Sequence, residues 1–165
     1  MKFNIVLVEP EIPQNTGNIS RTCAATNSSL YLVRPLGFEI TDKHLKRAGL
    51  DYWQYLDLHY VDSLEELMDK YFTGDNFHFM STKASKVYSD ATFKDGDFLV
   101  FGKESHGLPE PLLKKYYNNT LRIPMWGELR SLNLSNSVAI TLYEALRQNG
   151  FPELNAIGHL TGRLD

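Results

Sequence analysis

Cysteine is nearly missing from this chain. Cys23 stands alone, which excludes an intramolecular disulfide and sets aside the disulfide-stapled secreted scaffolds. No apolar run approaches the ~20 residues needed to cross a bilayer. The apolar part of the N-terminal stretch is too short for a secretion signal and reads as a first strand. A basic surplus is also lacking: 17 Lys and Arg against 20 Asp and Glu leave a net charge of −3. Bulk attraction therefore cannot hold nucleic acid, and any such contact must come from local clusters. The candidates are Lys43, His44, Lys46 and Arg47, then Lys83 and Lys86, then Arg130; each reads more simply as ordinary solvated surface. The expected compartment is the cytoplasm, without a membrane.

Several signatures of common chemistries are absent too. There is no G-x-G-x-x-G after the first strand and no G-x-x-x-x-G-K-[ST], so neither a Rossmann dinucleotide site nor a P-loop is supported. No G-x-S-x-G elbow is present for a serine hydrolase. The histidines at 44, 59, 78, 106 and 159 have no partner at metal-ligand spacing, and no metal is expected. Cys23 falls inside a helical pattern and reads as a small buried side chain.

What is present is an ordinary soluble composition. The 165 residues are 42% hydrophobic and 22% charged, as expected for a single domain spanning 1–165, with 155–165 a loosely held tail. Strands are predicted at Phe3–Val8, Leu30–Val33, Leu58–Val61, Phe77–Ser81, Phe98–Gly102 and Thr120–Ile123. Helices are predicted at Thr16–Thr26, Asp42–Ala48, Leu64–Tyr71, Glu110–Tyr117 and Leu134–Asn149. Unbroken apolar strands such as Ile5–Val8 suit a sheet covered on both faces. The alternation predicts an α/β fold: a mostly parallel sheet with helices on both faces. Ligands of such sheets bind beyond the C-terminal strand ends, which here are loops rich in Gly and Pro.

Three of those stretches carry chemistry. Ile123–Gly150 runs from a strand end through a polar loop into a helix whose start holds Ser131, Asn133, Ser135, Asn136 and Ser137, more capping groups than one N-terminus can use. Its end, with Arg147, Gly150 and Pro152, is a regular helix stop. Glu9–Arg21 is a proline-fixed connection in which Asn15 or Thr16 is placed to cap a helix. Arg21, about one turn into that helix, is either a surface arginine or an anion clamp. Phe101–Pro109 is a glycine-bracketed loop, either a plain turn or backbone facing a ligand such as an adenine edge. Glu104 there reads as a brace accepting N–H bonds, or less simply as a base.

Together, in this order, Asn15–Arg21, Phe101–Leu108, and Ile123–Met125 with Ser131–Ser135 resemble the three motifs of the SPOUT RNA methyltransferases. The resemblance covers nearly the whole chain. The Glu9–Asn18 opening and the basic residues before Ala48–Tyr52 resemble the subfamily that methylates the ribose 2′-oxygen of the tRNA wobble nucleotide, cytidine or modified uridine. It implies S-adenosyl-L-methionine as cofactor, tRNA at its anticodon region as partner, a homodimer and a deep C-terminal trefoil knot. The residues alone favour an unknotted doubly wound sheet, because knots are rare. Carried over by motif, the cofactor would contact Met80, Gly102, Ile123 and Ser131, with Thr82, Glu104, Gly107, Met125 and Asn133 in or near the site. Arg21 would be the catalytic arginine.

Guanidinium is too weak an acid to act as a base at neutral pH. Arg21 is therefore expected to clamp the developing alkoxide or a neighbouring phosphate, while the proton leaves to water, phosphate, or a group such as Ser131 or Asn133. In the last helix, Leu134, Val138, Leu142, Ala145 and Leu146 form one apolar stripe that Ala139, Ile140 and Tyr143 widen, which suits either burial in its own domain or packing on both the sheet and a second subunit; the resemblance favours the second. The rival readings are a ribosomal RNA ribose methyltransferase, a non-catalytic RNA or nucleotide-binding module, and a small-molecule methyltransferase.

Overall fold

A computed structural model describes residues 1–39 and 52–162. The helix expected at 42–48 and the basic residues Lys43, His44, Lys46 and Arg47 lie outside the described residues. Six strands form one sheet: β1 (Asn4–Val8), β2 (Ser29–Val33), β3 (Asp57–Val61), β4 (Phe77–Met80), β5 (Phe98–Phe101) and β6 (Thr120–Leu121). Their order is β3-β2-β1-β5-β4-β6, and every pairing is parallel. Among the described residues four α-helices complete the layers: α1 (Pro13–Ala25), α2 (Leu64–Tyr71), α3 (Glu110–Lys115) and α4 (Leu134–Gln148).

Alternate strand residues feed two separate apolar clusters, as side chains with a period of two must. On one face Ile5, Leu7, Leu32 and Leu99 meet Ile19 and Cys23 of α1 and Val138, Leu142, Ala145 and Leu146 of α4. On the other, Val6, Val8, Phe79 and Val100 meet Leu64, Leu67 and Met68 of α2 and Leu113 of α3. Burial on both faces accounts for the unbroken apolar strands. The expected α/β architecture is thus observed, and the stripe on the last helix is buried against its own sheet. Cys23 is buried, and desolvation pushes its thiol far above the ordinary range.

The two helix ends that frame the site are built differently. At the start of α1, Pro13 occupies the first turn, where its missing N–H costs nothing, and Ile12 takes the cap position without a side-chain bond. Neither Asn15 nor Thr16 caps α1; both lie inside it and are buried, because the helix begins three residues earlier than its polar pattern predicts. At the end of α4, Gly150 has φ +74°, Phe151 N–H donates to the Leu146 carbonyl (2.9 Å) and Gly150 N–H to that of Arg147 (3.1 Å). These are the paired bonds of a Schellman motif. β6 also differs from expectation. It spans only Thr120–Leu121, so Ile123 belongs to the loop that leaves the sheet.

Near that end, the Glu144 carboxylate accepts from Arg147 Nε (2.7 Å) and Nη2 (2.9 Å) and from Gln148 Nε2 (3.0 Å). Arg147 first, then Gln148, hold its pKa down at about 2 against an ordinary 4.5. The folded value lies below the unfolded one, so the clamp's contribution is complete above about pH 5 and is lost as pH falls towards about 2. Urea midpoints of the wild type and Glu144→Gln are expected to differ at neutral pH and converge across that window. Leu142, fully buried, sits where α4 meets the sheet. Leu142→Ala is expected to cost about 2–5 kcal/mol in urea denaturation.

Candidate active site

A cavity of about 470 Å³ opens at the C-terminal ends of β4, β5 and β6, beside the start of α1. It lies where the strand order turns back between β1 and β5, the position at which open parallel sheets bind ligands. Of the residues singled out by motif, Met80, Thr82, Gly102, Glu104, Gly107, Ile123, Met125, Ser131 and Asn133 all line it. Arg21 does not.

The loop after β5 is shaped by backbone contact with itself. A Cβ on Gly102 would fall 2.0 Å from the Gly107 carbonyl carbon and 2.2 Å from Leu108 N, so only glycine fits. Gly107, at φ +70°, turns the chain so that its N–H donates to the Lys103 carbonyl (2.8 Å). Close approach was expected at Gly102, with its partner left open between a plain turn and a ligand. What approaches is the loop's own far side.

Glu104 is committed to structure. Its carboxylate accepts from the backbone N–H groups of Glu11 (2.8 Å) and Ile12 (3.1 Å) and from Asn15 Nδ2 (3.1 Å). Asn15 in turn accepts through Oδ1 from Asn133 Nδ2 (3.0 Å). Asn133 Oδ1 caps α4, accepting from the N–H groups of Ser135 (2.9 Å) and Asn136 (3.3 Å) and from the Ser135 hydroxyl (2.6 Å). One hydrogen-bonded chain therefore ties all three loops together. It gives Glu104 the bracing role, and it spends the amides at the start of α4 internally rather than leaving them open to a ligand. It also corrects the expectation that Asn133 could accept a proton: both ends of its amide are engaged. Ser137 is likewise used within the helix, donating to the Asn133 carbonyl (3.1 Å), while Ser131 is exposed on the wall. Sequence reasoning missed the role of Asn15, whose partners lie 89 and 118 residues away and leave no local signal.

Ion pairs fix the rim. Lys103 Nζ holds Glu9 (2.7 Å), which raises the lysine's pKa. The Ser105 hydroxyl and N–H, bonded to Glu11 at 2.9 and 3.0 Å, lower that carboxyl. Lys83 pairs with Glu110, and the Arg122 guanidinium donates to the Thr82 carbonyl. Arg130 lines the cavity and has no ion pair among the described residues.

Arg21 is exposed on α1. The helix begins at Pro13, so Arg21 lies two turns in rather than one, about 9 Å along the axis beyond Asn15 at 1.5 Å per residue. Its neighbour is Tyr52, whose phenol burial pushes up and the Arg21 guanidinium draws back down. The Tyr52 hydroxyl reaches the Gly17 carbonyl at 3.4 Å. Among the described residues no group of His, Cys, Asp and Glu is arranged to hold a metal.

A sequence model of the SpoU rRNA methylase family matches residues 2–143. The chain belongs to that family. A relative from Listeria monocytogenes, provisionally named a tRNA (cytidine(34)-2′-O)-methyltransferase, is 55% identical over 157 residues, spanning 93% of this chain and 92% of its own. A structure described as giving insight into 2-OH methylation of C/U34 on tRNA superposes with TM-score 0.84 at 45% identity, over 91% of this chain and 97% of that one. The SpoU methyltransferase AviRb from Streptomyces viridochromogenes, solved with its cofactor AdoMet, gives TM-score 0.77 at 25% identity over 88% of this chain and 57% of that one. This SpoU family member is a methyltransferase, and S-adenosylmethionine is its cofactor.

The cavity fits such a cofactor. Its volume is within the range of small-molecule sites, Met80, Phe101, Leu108 and Ile123 give it an apolar wall, and the loop backbone from Gly102 to Leu108 supplies polar groups. Because Glu104 braces two loops at once, Glu104→Gln is expected to cost roughly 1–3 kcal/mol. The amide would turn an NH₂ towards a backbone N–H. Urea denaturation should report that loss, and calorimetry a weaker affinity for S-adenosylmethionine.

Proposed function

We propose that this chain methylates the ribose 2′-hydroxyl of the tRNA wobble nucleotide, a cytidine or a modified uridine. The observation that carries the proposal is a cavity built jointly by the loops after β4, β5 and β6 and braced through Asn133, Asn15 and Glu104. Relatives of nearly the same length that bear this activity in their names support the wobble position. A tRNA substrate fits the cytoplasm.

S-adenosylmethionine, when bound, supplies a sulfonium-activated methyl group. The protein's task is then mainly positioning, because in-line displacement depends steeply on geometry. Gly102, Gly107 and Glu104 hold the loop backbone in place, while Met80, Ile123 and Met125 shape an apolar slot that keeps water from the reacting centre. Arg21 clamps the 2′-oxygen as negative charge develops there, or the phosphate beside it. The proton passes to water, to phosphate or to Ser131.

Arg21 does not line the cavity of its own subunit, and the reading includes a homodimer in which it serves the partner's. Ile140 and Tyr143, exposed on α4, and the outer side of α1 are the surfaces that would meet. The deep C-terminal knot belongs to the same reading.

Nucleoside analysis of tRNA from a strain lacking the protein is expected to show loss of the 2′-O-methyl group at the wobble ribose and its return on complementation. Arg21→Ala is expected to lower turnover at least about 100-fold, the scale of one lost oxyanion contact, while calorimetry shows nearly unchanged cofactor binding. Persistence of the modification in the deletion strain would overturn the assignment.

A further inference from the structure

Tryptophan is the largest apolar side chain, and leaving its indole in water forfeits more burial than any other exposed residue. Trp126 is 90% exposed. It lies on the loop between β6 and α4. The chain leaves the cavity wall at Met125, places Trp126 outside, turns at Gly127 (φ +59°) and returns to the wall at Arg130. Leu129, on the same excursion, is 64% exposed, and Leu132 lines the cavity. No described residue packs on the indole as a ring or cation partner.

The surroundings select the occupant. Arg130, which has no ion pair among the described residues, brings a cation to the same short loop and lines the cavity, although the chain as a whole is acidic. An exposed aromatic face beside a guanidinium suits a nucleobase attached to phosphate. A ribose must turn out of a stacked strand to place its 2′-hydroxyl in the cavity, and its base then loses a stacking neighbour. We infer that Trp126 is a positioning residue of the methyl-transfer reaction: its indole stacks on an unstacked base of the substrate RNA, at or next to the target nucleotide, and holds the ribose at the cavity mouth. This rests on the wobble-ribose reading for the identity of the RNA.

The test uses the full-length protein and an anticodon stem-loop RNA with cytidine at the wobble position. Stacking on an aromatic ring is worth about 1–3 kcal/mol per base, so Trp126→Ala should raise KM for the RNA about 5- to 150-fold. Binding of S-adenosylmethionine should be unchanged, and Trp126→Phe should restore much of the loss. Tryptophan emission of the wild type should be quenched by the RNA, and the quench should be missing in Trp126→Phe, where Trp53 remains as an internal control. Unchanged KM in Trp126→Ala together with no quenching overturns the inference. So does a sedimentation shift to monomer in Trp126→Ala, which would assign the indole to a second copy of the chain instead. Should the wild type quench with the RNA yet transfer no methyl to it, the stacking surface stands and the wobble reading fails.

Discussion

The site depends on one hydrogen-bonded chain, from the cap of α4 through Asn15 to the Glu104 carboxylate. Each member does two jobs. Asn133 closes the start of a helix and donates across to α1. Asn15 accepts that bond and donates onward. Glu104 gathers the donors of the first loop. A carboxylate accepting several N–H bonds is a strong brace because each bond is charge-assisted. A partly satisfied network of this kind would be worse than none, which explains why the residues come as a set. Without it, three loops far apart in sequence would have no reason to share a cavity.

That arrangement explains how the site divides labour. The groups with the most obvious chemical capability, Glu104 and Asn133, are occupied in holding backbone, and the cavity offers a reactant mostly main chain and apolar wall. Such a surface suits a cofactor whose reactivity is already built in. At the rim, Lys103 and Lys83 are held by Glu9 and Glu110, which leaves Arg130 as the lining cation without an ion pair among the described residues.

Much of the fold was legible in the sequence. Unbroken apolar strands gave the parallel, doubly covered sheet, and the helices at 64–71 and 134–148 were predicted to within a residue. Ends were less legible. Ile123 and Gly102 look like strand residues, yet β6 stops at Leu121 and β5 at Phe101, because both chains bend there to line the cavity. Polar residues were the least legible. Asn15 has the look of a helix cap, and its use as a cross-link is decided by partners the local pattern cannot contain. Gly102 announced a close approach but not what approached. The nine cavity residues came from resemblance of motif, and spacing alone would have produced only three suspicious loops. Arg21 was misjudged by one helical turn, since Pro13 starts the helix earlier than the polar pattern suggests.

The closed loop after β5 has one more consequence. Its two strands touch backbone to backbone at Gly102 and Gly107 and are pinned by the Lys103–Gly107 bond, so this wall is already in its final shape before anything enters. Residues 123–132 opposite have no hydrogen bond to other described residues. The cavity thus pairs a hydrogen-bonded jaw with one held by packing, through Ile123, and more of the conformational entropy lost on loading falls on the second. Ligands can then be told apart by how well they organise that loop: one that fits only the rigid side gains little, and one that engages both also sets the stage for the next arrival.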